Sequence, residues 1–283
     1  MGVIRVENLL KSFANWLSSD GKSQNTIKTY DGSMRKFFEW ISNNERDVHH
    51  LTREDVQDYM VYLENLNRSA ATIEKAFSAI SVYARFQNIH EVMNNISRLE
   101  KEKKHENPES LDRAERTALL EEVEKDGDIR NIVIVYTLLH TGIRISELCA
   151  LNISDVRLNA NQGEVIIRDS KGTVKRTIPL SKDLMNYLSR YIDTLSQNPN
   201  QEALFISSVG KRISTRGVQY MLKRYNVNPH KLRHTFCAEL VQNGIDISTV
   251  AELAGHSDVN VTKRYISKDA TSKIEEAIKR TFA

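Results

Sequence analysis

Residues 164–180 read Glu164-Val165-Ile166-Ile167-Arg168-Asp169-Ser170-Lys171-Gly172-Thr173-Val174-Lys175-Arg176-Thr177-Ile178-Pro179-Leu180. Glu164 to Asp169 and Val174 to Leu180 alternate on either side of Ser170-Lys171-Gly172-Thr173, which is the pattern of a β-hairpin. The segments read around it carry helical periodicity instead. The fold class that follows is mainly α: a helical first part, then an α+β second part with a small antiparallel sheet.

Outward from the hairpin, helices are expected on its amino-terminal side at Arg113 to Glu124 and Ile129 to Leu139. The latter is apolar enough to be central. On its carboxy-terminal side they are expected at about Lys182 to Ser196, Ser214 to Tyr225, Lys231 to Asn243 and Ile247 to Ala254. A last helix, Ser272 to Phe282, puts Ile274, Ile278 and Phe282 on one face. In the first part, Leu9, Leu10, Phe13, Trp16 and Leu17 mark a helix over Val6 to Leu17 that Asp20-Gly21 breaks. Ser23 caps a second helix from about Gln24 to Ser42. Thr52-Arg53-Glu54-Asp55 forms a capping box with Asp in place of the usual Glu or Gln, and a fourth helix ends near Phe86. Lys101-Glu102-Lys103-Lys104-His105-Glu106-Asn107-Pro108 has no apolar periodicity and ends in Pro. The expected organisation is therefore a helical domain over 1–98, a linker over 99–110 and a second domain over 111–283. Nothing in the linker decides between a solvated strap and one that lies along phosphates.

At 283 residues, with 40% hydrophobic and 27% charged residues, two soluble domains fit. The apolar run Ile132 to Leu139 is too short to span a bilayer. The start, Met1-Gly2-Val3-Ile4-Arg5-Val6, is neither a signal peptide nor a myristoylation signal. Cys149 and Cys237 form no disulfide framework, so a reducing cytosol is expected, and no Cys/His cluster has zinc spacing. A net charge of only +3 means that any nucleic-acid affinity must come from clustered Lys and Arg.

Six residues follow one another through the second part. Arg144 lies in Thr141-Gly142-Ile143-Arg144-Ile145-Ser146-Glu147-Leu148, and Lys171 in the hairpin turn. His230 and Arg233 lie in His230-Lys231-Leu232-Arg233-His234-Thr235-Phe236, His256 in Leu253-Ala254-Gly255-His256-Ser257, and Tyr265 in Thr262-Lys263-Arg264-Tyr265. In this order, and with this gap from His256 to Tyr265, the second part resembles the tyrosine recombinase (phage integrase-like) family. Ser23-Gln24-Asn25-Thr26-Ile27-Lys28-Thr29-Tyr30 followed by Phe37-Phe38 is similar to the opening helix of the family's core-binding domain. One departure is Glu74-Lys75, where the family has consecutive basic residues. The resemblance implies a core-binding domain and a catalytic domain that together clamp double-stranded DNA.

The residue chemistry agrees with that resemblance. Displacement at a phosphodiester passes through a five-coordinate phosphorus with added negative charge. Without a metal, Arg is the best fixed cation for it, because its fork grips two oxygens. Arg144 and Arg233 are the candidates, and Glu147, one turn from Arg144, can orient that guanidinium. Tyr265, one of ten tyrosines, is the implied nucleophile. A phenol with a pKa near about 10 needs a base or a cationic surround to attack. His256 is to hydrogen-bond a phosphate oxygen, its neighbour Gly255 suggesting a tight backbone approach, and His230 is the candidate base. His230 and His234 have the i, i+4 spacing of a zinc pair, yet no acidic third ligand is spaced for it and Arg233 between them repels a cation, so no metal is expected. Lys171 is the candidate general acid for the leaving 5′ oxygen and Lys175 its rival, with Lys175 and Arg176 expected to face solvent or phosphate. Lys28, Arg35, Lys75 and Lys175 are candidate DNA contacts.

The resemblance implies cleavage through a 3′-phosphotyrosine with no cofactor, neither ATP nor metal. It also implies four protomers on DNA, exchange through a Holliday junction, and a terminal helix that docks on a neighbour as in Xer-like members. Packing of that helix on its own domain is an equal reading of the apolar stripe. Without an arm-binding domain, the chain looks like a simple two-domain recombinase, cytoplasmic and nucleoid-associated, working with or without accessory DNA-binding proteins. Resolution of chromosome, plasmid or transposon dimers and cointegrates is the leading role, and integration or excision of a mobile element the alternative. A type IB topoisomerase, a DNA-binding regulator and a metal-dependent nuclease are the remaining classes.

Overall fold

Side-chain caps set where three of the helices in the first hundred residues begin. Ser23 Oγ accepts the Thr26 N–H at 3.2 Å at the start of α2 (Gln24–Asn43), which follows α1 (Gly2–Ser19). Thr52 and Asp55 exchange hydrogen bonds of 2.7 and 3.2 Å, so the shorter Asp closes the capping box that opens α3 (Arg53–Asn65). Ser69 caps α4 (Ala70–Gln87), which ends on Asn88 in the left-handed conformation at φ 58°. The four helices bury one face each. Leu10, Phe13 and Leu17 meet Met34, Phe37, Phe38 and Ile41, with Ile73, Ile80 and Tyr83 from α4, in one core. The Tyr83 ring takes the edges of Phe13 and Phe38, each 5.2 Å away between centroids.

This computed structural model describes residues 2–99, 109–196, 201–256, 258 and 260–263. The chain divides into two compact units, Met1–His105 and Glu106–Ala283. Within the second, α5 (Arg113–Lys125) and α6 (Ile129–Thr141) precede a short α7 (Ile145–Ala150). A three-stranded antiparallel sheet follows in the order β1 (Val156–Leu158), β2 (Gly163–Arg168), β3 (Val174–Pro179). Then come α8 (Lys182–Leu195), α9 (Thr215–Lys223), α10 (Pro229–Gln242), α11 (Ile247–Ala254) and α12 (Asn260–Lys263). The expected mainly α chain with a small antiparallel sheet is what is seen. The added strand and α-helices are β1, α7 and α12, each too short to show a period. Helix Ser272 to Phe282 and linker residues 100–108 lie outside the described residues.

Helix α6 is the axis of this unit. Val133, Ile134, Val135 and Leu138 are all 0% exposed, and α6 packs on α5, α8 and α10. Its apolar character is thus that of a buried core helix. Among the described residues no helix is long and apolar enough to cross a membrane. Strand β2 brings Val165 and Ile167 into the same core, and β3 pairs Ile178 with Val165 and Arg176 with Ile167. Leu138→Ala is expected to cost roughly 2–5 kcal/mol, the usual range for emptying a fully buried leucine site. Urea denaturation followed by circular dichroism measures it, and a loss below about 1 kcal/mol would contradict the central place of α6.

Candidate functional site

The site begins where α6 stops. Gly142 caps α6 at φ 59°, and a Cβ there would lie 2.3 Å from the Phe236 ring, so both the backbone angle and the space require glycine. The turn presents the Gly142 carbonyl to Arg233 on α10, whose Nη1 donates to it at 2.6 Å. Two residues on, Arg144 is the N-cap of α7, and its N–H donates to Glu147 Oε2 at 2.8 Å. Its guanidinium donates through Nη2 to the Gly255 carbonyl at 2.5 Å and reaches Glu147 Oε1 through Nη1 at 3.4 Å. The Arg144 side chain is 44% exposed, whereas Arg233 is only 7% exposed.

Helix α11 ends against these arginines. Gly255 is left-handed at φ 69°, and a Cβ on it would meet Arg176 Nη1 at 2.6 Å and Arg144 Nη1 at 3.2 Å. The tight approach expected at Gly255 is therefore an approach of two guanidinium groups. His256 follows, its Nδ1 2.8 Å from the hydroxyl of Thr262, which is fully buried on α12. Burial, with the positive charges of Arg233 and Arg144, lowers His256 to about 4. Burial also lowers Arg233, and the Arg144 charge adds to it.

Arg176 departs from expectation. It does not face solvent or phosphate: its side chain is 7% exposed and holds Glu147 with two hydrogen bonds, 3.0 and 2.8 Å. Its Nε donates to the Leu253 carbonyl at 2.7 Å, tying β3 to α11. The signal was in the alternation. Arg176 shares a strand face with Ile178, which is buried, while Lys175 and Thr177 are exposed. Burial pushes the Glu147 carboxyl upward, but hydrogen bonds from Arg176 and from the Arg144 N–H outweigh it, so Glu147 lies below its usual range and is ionised.

Lys171 sits at the exposed hairpin tip, and among the described residues no hydrogen bond or ion pair joins it to Arg144, Arg233 or His256. The tip is braced. Asp169 Oδ1 accepts the N–H groups of Lys171 and Thr173 at 2.8 and 2.9 Å. Arg168 spans from the buried Asp155 to the Gly172 carbonyl. His230 is exposed in the first turn of α10, after the capping Asn228 and Pro229. Its ring is 6.5 Å from that of His234, and among the described residues no three His, Cys, Asp or Glu side chains gather as a metal site would need. Tyr265 lies outside the described residues. Of the candidate DNA contacts, Lys28, Lys75 and Lys175 are exposed, while Arg35 is held by Glu7 and by Asp31 at 2.8 Å. Glu74, at the departure from the family pattern, pairs with Arg98 at 2.9 Å.

Arg144 and Arg176 share the Glu147 carboxylate, with Arg233 and His256 at the neighbouring turns, on a helical unit with a small sheet; such a gathering of guanidinium groups suits an anion. The chain matches the Phage integrase family over residues 109–272 and that family's N-terminal SAM-like domain over residues 10–88. It is 31% identical to the tyrosine recombinase XerA of Pyrococcus horikoshii, covering 96% of this chain and 93% of that one. It is 27% identical to the TnP I resolvase of Bacillus thuringiensis over 91% of this chain and 94% of that one. A crystal structure of XerA recombinase superposes with a TM-score of 0.52 at 26% identity, covering 96% of this chain and 98% of that one. The chain belongs to the phage integrase family of tyrosine recombinases. Its activity is site-specific recombination, the cleavage and rejoining of DNA strands.

The lowered His256 makes a pH prediction. Between about 4 and the ordinary value of 6.5 the unfolded chain binds a proton that the folded chain does not. The contribution of this group is therefore complete above 6.5 and is lost as pH falls toward about 4. Nitrogen-15 NMR of labelled histidine is expected to show His256 neutral at pH 6, and a midpoint at or above 6.5 would overturn the assignment.

Proposed function

We propose that the protein binds duplex DNA and that Arg144 and Arg233 hold the non-bridging oxygens of the scissile phosphate. Tyr265 attacks phosphorus, the Tyr265 Oη–P bond forms and the P–O5′ bond breaks. His230 accepts the phenolic proton, and Lys171 gives a proton to the departing 5′ oxygen. The products are a 3′-phosphotyrosine and a free 5′-hydroxyl, with the bond energy kept, so that a 5′-hydroxyl from a partner duplex reverses the step. His256, neutral, donates to a phosphate oxygen when Thr262 donates to its Nδ1, since the proton then sits on Nε2. The observation that carries this reading is the convergence of Arg144, Arg233 and His256 on the Gly142 and Gly255 turns with one carboxylate among them.

In this reading the metal's task of charge stabilisation falls to the arginines. The biological role is resolution of dimers or cointegrates, a reading favoured by likeness to XerA proteins and to a resolvase. It proceeds by two strand exchanges through a Holliday junction in a tetramer. The terminal helix from Ser272 docks on a neighbour, and the assembly works on nucleoid DNA in the cytoplasm. A two-site recombination assay separates this from a topoisomerase, which relaxes supercoils without exchanging partners. Integration of a mobile element is separated by whether the preferred paired sites lie in one replicon or in two.

Tyr265→Phe is expected to abolish covalent attachment to DNA, in excess EDTA as in its absence, while half-site binding stays nearly intact, because phosphate contacts supply most of the affinity. Covalent complex formed by the Phe protein, or wild-type cleavage that EDTA removes and magnesium restores, would refute the scheme. Lys171→Ala is expected to slow cleavage of ordinary DNA by on the order of 100-fold or more, the usual worth of a positioned acid. It should leave cleavage of a 5′-bridging phosphorothiolate little changed, since a thiolate departs without a proton. Equal slowing on both substrates removes Lys171 from the role, and the same pair of rates for Lys175→Ala tests its rival.

A further inference from the structure

Glu147 stands between two arginines and treats them unequally. Arg176 meets it as a fork, with Nη1 on Oε1 at 3.0 Å and Nη2 on Oε2 at 2.8 Å, from a side chain 7% exposed. Arg144 reaches the same Oε1 only through Nη1, at 3.4 Å, from a side chain 44% exposed. A carboxylate offers one edge to one guanidinium fork, so the better partner excludes the other from bidentate pairing. Glu147 is 14% exposed, and a carboxylate that buried must be neutralised by some cation. Arg176 supplies that cation from inside the protein.

We propose that Arg176 is a positioning residue for recombination: by taking up the charge of Glu147 it keeps the Arg144 guanidinium from pairing fully with that carboxylate and so leaves it available to phosphate. The proposal rests on the reading of Arg144 as a phosphate ligand and adds to it why a carboxylate beside that ligand does not quench it. Without the Arg176 fork, Glu147 is left buried and ionised, and the nearest guanidinium is Arg144, already at 3.4 Å. Arg144 then closes on Glu147 and turns from the substrate. The loss acts through charge, so removing the charge of Glu147 reverses it. A second consequence acts through position: the Arg176 Nε bond to the Leu253 carbonyl at 2.7 Å holds the turn that carries Gly255 and His256. A neutral Glu147 does not restore that tie, so the reversal is incomplete.

The test is single-turnover cleavage of a suicide half-site substrate, with half-site affinity and thermal melting measured on the same proteins. Arg176→Met is expected to lower the cleavage rate on the order of 10- to 100-fold, the cost of misplacing a reacting group by about 1 Å, with affinity nearly unchanged. Arg176→Met combined with Glu147→Gln is expected to cleave faster than Arg176→Met alone. Arg176→Lys, which keeps the charge, is expected to exceed Arg176→Met. Arg176→Gln takes the place of the Met variant if that protein does not melt cooperatively. Cleavage at the wild-type rate by Arg176→Met overturns the proposal, as does a double variant no faster than the single one. If every replacement of Arg176 unfolds the protein, Arg176 is a stability residue and the proposal falls. Arg144→Ala, run alongside, reads the underlying assignment separately: wild-type cleavage by that variant removes Arg144 from the phosphate, whereas an inactive Arg144→Ala with an unaffected Arg176→Met removes only the role of Arg176.

Discussion

Like charges brought close together in a partly dry site repel. Two of them about 4 Å apart at an effective dielectric near 20 cost on the order of 4 kcal/mol. The second unit gathers Arg144, Arg176 and Arg233 around the Gly142 and Gly255 turns, and the Glu147 carboxylate is the counter-charge that Arg144 and Arg176 share. Backbone carbonyls do the rest: Gly142 for Arg233, Gly255 for Arg144 and Leu253 for Arg176. Each is a dipole aimed at a guanidinium without bringing a second full negative charge. The arrangement occupies part of each guanidinium's donor set while leaving an excess of positive charge, a state that favours an anion.

Two glycines make those carbonyls available. Both Gly142 and Gly255 end helices in the left-handed conformation, so each carbonyl leaves the helix and turns toward the site. Their lack of a side chain matters twice, since a Cβ on Gly142 would strike Phe236 and one on Gly255 would strike Arg176. Packing and electrostatics therefore meet at the same atoms. Phe236 and Arg233 ride on one helix, α10, so the contact that fixes the position of α10 against α6 also fixes Arg233.

Much of this was legible in the sequence because it is local. Helix α11 begins at Ile247 and ends at Ala254 as its periodicity indicated, with Asp246 as cap and Gly255 as stop. The hairpin was legible from alternation on either side of Ser170-Lys171-Gly172-Thr173, and the Thr52 box from four residues. Strand β1 spans Val156 to Leu158 and exists through its pairing with β2, which no local period encodes. Helix α7, Ile145 to Ala150, is too short to show amphipathicity. At the site, motif order named Arg144, Arg233 and His256 as candidates, and the structure brings the three together. Arg176 was hidden by its chemistry: a charged residue on a short strand reads as exposed, although its parity with Ile178 puts it on the inner face. What reverses the usual rule is Glu147, which lies far away in the chain and makes burial of an arginine tolerable.

The same geometry bears on why the histidine is neutral. Phosphate recognition by an imidazolium would add charge, but His256 sits where Arg233 and Arg144 already repel a proton, and burial adds to the penalty. A neutral imidazole still donates one hydrogen bond, and the Thr262 hydroxyl at 2.8 Å is placed to decide which nitrogen does so. The division of labour is then between groups that carry charge and one that carries direction. Thr262 lies on α12, the last described helix before Tyr265. Thr262 thus connects the end of the described chain to the imidazole of His256 through one hydrogen bond. The charged members of the site are held by other elements: Arg144 by the Gly255 carbonyl, Arg233 by the Gly142 carbonyl and Arg176 by Glu147.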